Sequence, residues 1–305
     1  MSGRIGSVHI ADGILSAPVW AALDAAAIPA IGLAARRTRV EHAPLLGVMG
    51  AFVFAAQRMN FPAGLGTSGH LLGGALLAMT LGPGAATIVL TAILVLQTLV
   101  FQDGGILALG ANVFNMALIG VWAAWIPYRF LAQGKWKNFG YFAAAFLSVL
   151  ASAAAAMIEL RVSGVALNGA VVSISAAVFV TTAIIEGLIT VAVMQTIEKM
   201  NPGWLQTPDT RPSRAMGLLA GAAVLLMAVG VLFISGAPDG LEALVAQLGL
   251  ESREVAYFQA PMAEYEARIA GGDWSRKALA GLAGLGMIYI LCAGVGRLLV
   301  RQRSA

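Results

Sequence analysis

The chain has 305 residues, 59% of them hydrophobic and only 11% charged, with a formal net charge of +4. So apolar a composition excludes a water-soluble globular domain and requires a bilayer as the solvent for most of the surface. The single cysteine, Cys292, excludes a disulfide framework within the chain, and the basic residues cluster beside apolar runs, where membrane orientation explains them better than nucleic-acid binding.

The apolar runs are long, continuous and rich in Gly and Ala. They read as helices, not as the alternating segments of roughly 10 residues that build a barrel. Crossing a hydrocarbon core about 30 Å thick takes about 20 residues at 1.5 Å each. The first run follows "SVHIADGILS", residues 7 to 16; it has no signal-peptide cleavage site, and Pro18-Val19-Trp20 opens a retained helix. In chain order, spans are expected at roughly 18–35, 43–58, 69–81, 84–101, 107–128, 139–160, 171–196, 215–235 and 278–297, nine in all. The third is short, and Gly82-Pro83-Gly84 forces a break after it, so the third and fourth are expected to be tilted or partly re-entrant.

With nine spans, twelve cations fall on one side: Arg36, Arg37, Arg39, Arg129, Lys135, Lys137, Lys199, Arg211, Arg214, Arg297, Arg301 and Arg303. The other side receives seven: Arg4, Arg58, Arg161, Arg253, Arg268, Arg276 and Lys277. The positive-inside rule then puts the amino terminus outside the cell membrane and the carboxyl terminus in the cytoplasm. Residues 197–214, with three prolines and mixed charges, read as a cytoplasmic linker between a unit at 1–196 and a unit at 215–305, whose two spans enclose a long outer loop, 236–277. The expected architecture is an all-α integral membrane protein, a seven-helix bundle followed by two further spans.

Chemistry is sparse. On this topology His9 and His70 share the outer side, and His42, beside Glu41, lies on the other. A lone histidine near a membrane interface is ordinarily a hydrogen-bonded interfacial residue; two on one side can contribute to a nickel, copper or zinc site. Gly64, Gly66 and Gly69 permit close backbone approach around His70, while Thr67 and Ser68 suit either a helix cap or a supporting role. Asp12 reads equally as a turn residue and as a carboxylate steadying the amino segment. Asn60, Gln102, Asn112 and Asn115 are amides at the outer helix ends, suited to packing or to the edge of a cavity. Asp103 and Glu159 read as interfacial, whereas Glu186, inside a span, is treated as functional, bracing the bundle or touching a coupling subunit. The acidic outer loop reads as a solvated surface, with a cation-attracting or gating loop as the alternative.

The motifs "HIADGILS", "NFPAGLGTSGHLLGGAL", "FQDGGILALGANVFNMALIG" and "EGLIT" resemble, in order, those of the CbiM/NikM family, the cobalt- and nickel-specific capture components of energy-coupling factor (ECF) transporters. "PDGLE", residues 238 to 242, is similar to the signature of the small CbiN/NikN partner. The resemblance implies a fused capture-plus-accessory subunit that binds Ni2+ or Co2+ as cargo, with no resident cofactor. Its implied partners are a transmembrane coupling protein and ABC-type ATPases. It also implies a planar nitrogen set of an amino-terminal amine, the adjacent amide and imidazole, and a second imidazole, which map onto Val8, His9 and His70. Here seven residues precede Val8, so either peptide nitrogens substitute for the amine or translation starts at Val8 on a GUG codon. The sequence contains no phosphate-binding Gly-x-x-x-x-Gly-Lys-Ser/Thr, nucleophile elbow or HExxH, so ATP hydrolysis falls to partners. A membrane metal-dependent enzyme or a metal sensor using the same histidines is the alternative function.

Overall fold

The computed structural model describes residues 9–38, 43–64, 66–200, 214–230, 238–268 and 272–301. Val8, His42 and most of the 197–214 linker lie outside them. The helices are α1 (Ala17–Arg37), α2 (Ala43–Gln57), α3 (Gly74–Leu81), α4 (Pro83–Phe101), α5 (Leu109–Leu131), α6 (Lys137–Val162), α7 (Gly169–Met200), α8 (Arg214–Gly230), α9 (Gly240–Gln247) and α10 (Asp273–Arg301). A hairpin of β1 (Phe61–Gly64) and β2 (Thr67–Gly69) stands between α2 and α3.

Among the described residues six helices, α1, α4, α5, α6, α7 and α10, are long and apolar enough to cross a membrane; α2 and α8 are apolar but shorter. The chain is therefore an all-α, multi-pass membrane protein. Large apolar side chains such as Ile28 (70% exposed), Phe130 (72%) and Ile290 (71%) form an outer surface that suits lipid tails and not water.

The expected third span, 69–81, is helical only in its second part: residues 69–73 are not helical, α3 begins at Gly74 with eight residues and about 12 Å of helix, and the turn after it brings Gly84 against Thr38 at the far end of α1. Thr67 and Ser68 accordingly cap no helix: both lie in β2, and α3 has Gly73, at φ 72°, at its amino end. The sequence reason is the run of glycines from Gly64 to Gly74, which disfavours helix. At the following break the expectation holds: Gly82, at φ 79°, ends α3, and Pro83 opens α4 in the first turn, where its missing N–H costs nothing.

The sequence explains which helices lie inside. From Leu45 to Gln57 every residue of α2 is buried, as an all-apolar run must be if it is surrounded by other helices. By contrast α1 buries only Ala27. Two helices of the 215–305 unit pack against α2, α10 most closely. A Cβ on Gly47 would stand 2.7 Å from Tyr289, and one on Gly296 would stand 2.9 Å from Ala43, so small residues are what let these helices approach. The linker's ends are helical, since α7 runs to Met200 and α8 begins at Arg214. The loop 236–277 carries α9, and Pro238 just before it meets the hairpin, where Ser68 N–H donates to the Pro238 carbonyl at 2.7 Å.

Candidate metal-capture site

Residues from three segments, the amino segment 9–16, the hairpin and turn before α3, and the start of α9, converge on one cavity of about 80 Å³. His9, His70, Asn112, Asn115, Ser152 and Asp239 are among its lining residues.

The amino segment is held by reciprocal hydrogen bonds. The Ile10 N–H donates to Asn112 Oδ1 at 2.9 Å, and Asn112 Nδ2 donates back to the Ile10 carbonyl at 3.0 Å. The Asp12 carboxylate accepts three backbone N–H groups at the start of α5: Ile106 at 2.9 Å, Leu107 at 2.8 Å and Ala108 at 3.1 Å. A buried carboxylate is stable when its lone pairs are used, and Asp12 uses both oxygens. This fastening delivers His9, 4% exposed, to the cavity wall.

The loop bearing His70 is held from the opposite side. Glu186, fully buried in α7, accepts the N–H groups of Leu72 at 2.8 Å and Gly73 at 3.0 Å. These donors have no helical partner because α3 starts after them. Glu186 therefore braces the bundle at the turn next to His70.

An amide relay orients the His9 ring. Gln57 Nε2 donates to the Leu72 carbonyl at 2.8 Å, which leaves Gln57 Oε1 to accept from Gln97 Nε2 at 3.0 Å. Gln97 Oε1 then faces His9 Nε2 at 3.0 Å and can only accept, so that nitrogen donates and His9 Nδ1 is the ring nitrogen left for another partner. On His70, Nδ1 lies 3.1 Å from the Leu71 carbonyl, another obligate acceptor, so the lone pair is on Nε2. Burial and the neighbouring His9 push the His70 pKa down to about 4, which keeps the imidazole neutral at pH 7. The rings meet edge to face with centroids 6.4 Å apart. A ring centre lies roughly 3.2 Å from a metal on a 2.0–2.1 Å bond, so this spacing is the widest across which two imidazoles share one ion.

Among the described residues no three His, Cys, Asp or Glu side chains are grouped closely enough to hold an ion as they stand. Asn112 lines the cavity and Thr67 Oγ1 pins the hairpin by donating to the Gly64 carbonyl, while Ser68 is buried in β2 beside Pro238. Asn60 is half-buried and outside the lining, and Gln102 turns away to accept the Ala260 N–H at 3.1 Å. Two interfacial assignments are corrected: Glu159 is buried and accepts from Asn115 Nδ2, and Asp103 is buried and accepts from the Tyr265 hydroxyl. Gln57 and Gln97 escaped the sequence reading, although an amide inside an apolar helix carries the same signal that marked Glu186. Gln97 also opens a π turn, Gln97–Phe101, a feature common at functional sites.

Residues 9–204 match the family model for CbiM, described as the cobalt uptake substrate-specific transmembrane region. The chain is 32% identical to a protein of Archaeoglobus fulgidus described as a fused nickel transport protein, NikMN, over 81% of this chain and 85% of that protein. It is 35% identical to the cobalt transport protein CbiM of Thermosipho melanesiensis, over 64% and 88% of the two chains. A solved structure of a truncated transition metal transporter superposes with a TM-score of 0.52 at 34% identity, covering 63% of this chain and 99% of that one. The buried histidine pair thus sits in a membrane protein whose relatives carry cobalt and nickel, and the chain belongs to the CbiM family of cobalt uptake substrate-specific transmembrane regions.

Proposed function

We propose that this chain captures Ni2+ or Co2+ on the extracytoplasmic side and delivers it inward as the substrate-specific subunit of an ATP-driven ECF importer. The observation that carries the reading is the pair of buried imidazoles, His9 and His70, in the wall of one cavity, with the His70 Nδ1 proton committed to the Leu71 carbonyl and its Nε2 lone pair left for an ion. Nitrogen donors suit both ions, and a planar set suits nickel. The Val8 nitrogen, adjacent to His9, supplies the further donor.

The function is transport, with no reaction of the chain's own. A transmembrane coupling subunit and cytoplasmic ABC-type ATPases supply the energy, and the capture unit, 1–196, reorients in the bilayer to present the ion inward. The 215–305 unit serves as the accessory module. The excess of cations on the carboxyl-terminal side supports an outside amino terminus and a cytoplasmic carboxyl terminus.

Cellular uptake of radioactive Ni2+ and Co2+ tests the reading, with the chain expressed alone and with its coupling and ATPase subunits. Uptake is expected with the full set, and is expected to disappear in His70→Ala and in an ATPase variant unable to hydrolyse ATP. Uptake unaffected by His70→Ala contradicts the site; uptake unaffected by the ATPase variant contradicts the ECF mechanism.

A further inference from the structure

The Asp239 carboxylate stands in an unbalanced position. Its Oδ1 accepts the Glu242 N–H at 2.7 Å, and Glu242 Oε2 accepts the Asp239 N–H at 3.3 Å, which together close a capping box on α9. The other oxygen, Oδ2, is buried with no hydrogen-bond partner among the described residues. It lies 4.0 Å from His70 Nε2, in the wall of the same cavity, and Asp239 as a whole is 4% exposed.

The chemistry of that pair is specific. His70 Nδ1 is committed to the Leu71 carbonyl, so the atom facing Asp239 is the imidazole lone pair. Two acceptors therefore face each other across 4.0 Å with no donor between them. A buried acceptor without a partner is unfavourable, and a cation that joins the pair would satisfy both atoms. Two donors on bonds of about 2.0–2.2 Å to one ion stand about 3 Å apart at a right angle and about 4.1 Å apart in line, and the observed separation falls in that range.

The position of Asp239 is not left to a loose loop. Its neighbour Pro238 accepts the Ser68 N–H, the Asp239 backbone bridges to Ser68 at the start of the His70 loop, and the capping box fixes its side chain. The first two restraints tie the Asp239 backbone to the segment bearing His70, and the third holds its carboxylate at the start of α9.

We propose that Asp239 is a further ligand to the transported ion, supplied by the loop of the 215–305 unit across the cavity from His70. This rests on the metal-capture reading above. The cation class it selects is a divalent transition ion able to take a mixed nitrogen and oxygen set, which fits Co2+ and Ni2+ beyond four coordination. An oxygen ligand on a separate loop also gives the site a contact that is broken when the loop lifts, so ion release is linked to movement of α9.

The test is titration of Ni2+ and Co2+ into the purified full chain and into Asp239→Asn and His70→Ala, with ligand-field spectra of the bound ions. Asparagine caps helices as well as aspartate, so Asp239→Asn keeps α9 and removes the charge. Amide exchange in α9 checks that it does, and Asp239→Ser, also a capping residue, replaces it if α9 is lost. Affinity at least tenfold weaker, with shifted ligand-field bands, is the expected result. Unchanged affinity and bands in Asp239→Asn, with binding abolished by His70→Ala, overturns the proposal and leaves metal capture intact. No binding by the unaltered chain overturns both.

Discussion

Asp12-Gly13 and Asp239-Gly240 are the same dipeptide in two loop segments that meet at one cavity, and their carboxylates end in opposite situations. Asp12 accepts three backbone N–H groups and uses both oxygens; Asp239 accepts one N–H on Oδ1, while Oδ2 faces the lone pair of a histidine. Burial pushes the Asp239 pKa up to about 7, with the Glu242 and Leu241 N–H groups only partly offsetting it. A saturated carboxylate anchors the segment that bears it. An unsaturated one of equal burial is kept for a cation. The amino segment is thus built to stay, and the accessory loop to bind and let go.

That contrast can be broken at the anchor. Asp12→Ala leaves three N–H donors without an acceptor and should destabilise the chain by on the order of 5 kcal/mol, read from unfolding in mixed micelles, with metal binding lost as His9 is released. A cost near zero would show that the saturated bonds carry no stability and that the contrast is empty. The corresponding anchor for His70 is Glu186. Glu186→Ala should cost about 3 kcal/mol, and Glu186→Gln less, because an amide oxygen still accepts one of the Leu72 and Gly73 donors. Equal losses in both variants would contradict hydrogen bonding as its role.

A finer probe separates holding from binding. Gln97→Leu removes the acceptor that orients the His9 ring and should weaken Ni2+ binding by about 10–100-fold, the usual effect of removing a group that orients a metal-ligating imidazole. Unchanged affinity would mean that the ring is oriented by something else. The smallest effect is expected at Glu242→Ala, which opens the capping box and should cost about 1 kcal/mol, confined to faster amide exchange in α9. Exchange that rises across the bundle would instead make α9 part of the core.

Much of the fold was legible because hydropathy is local. The expected spans at 18–35, 84–101, 139–160 and 171–196 fall within α1, α4, α6 and α7 with ends a few residues apart. The late start of the helix within 69–81 has a physical cause. The run reads as apolar, but its glycines favour a hairpin and loop, and the backbone donors at Leu72 and Gly73 are satisfied by Glu186, more than a hundred residues away. Glu159 and Asp103 were misplaced for the same reason, since their buried partners, Asn115 and Tyr265, are distant in sequence. Position within a run was enough to mark His9 and His70 as candidates. The facing of His70 and Asp239, and the relay through Gln57 and Gln97, depend on contacts that no window along the chain contains.

The central claim is that His9 and His70 hold the ion together with the nitrogen of residue 8. Isothermal titration of Ni2+ and Co2+ tests it directly, using the chain from Met1 and a form that begins at Val8→Met, each with His9→Ala and His70→Ala counterparts. Tight binding that either alanine abolishes, strongest in the form with a free amine beside His9, is the predicted result. Binding that survives both alanine substitutions in either form would contradict it.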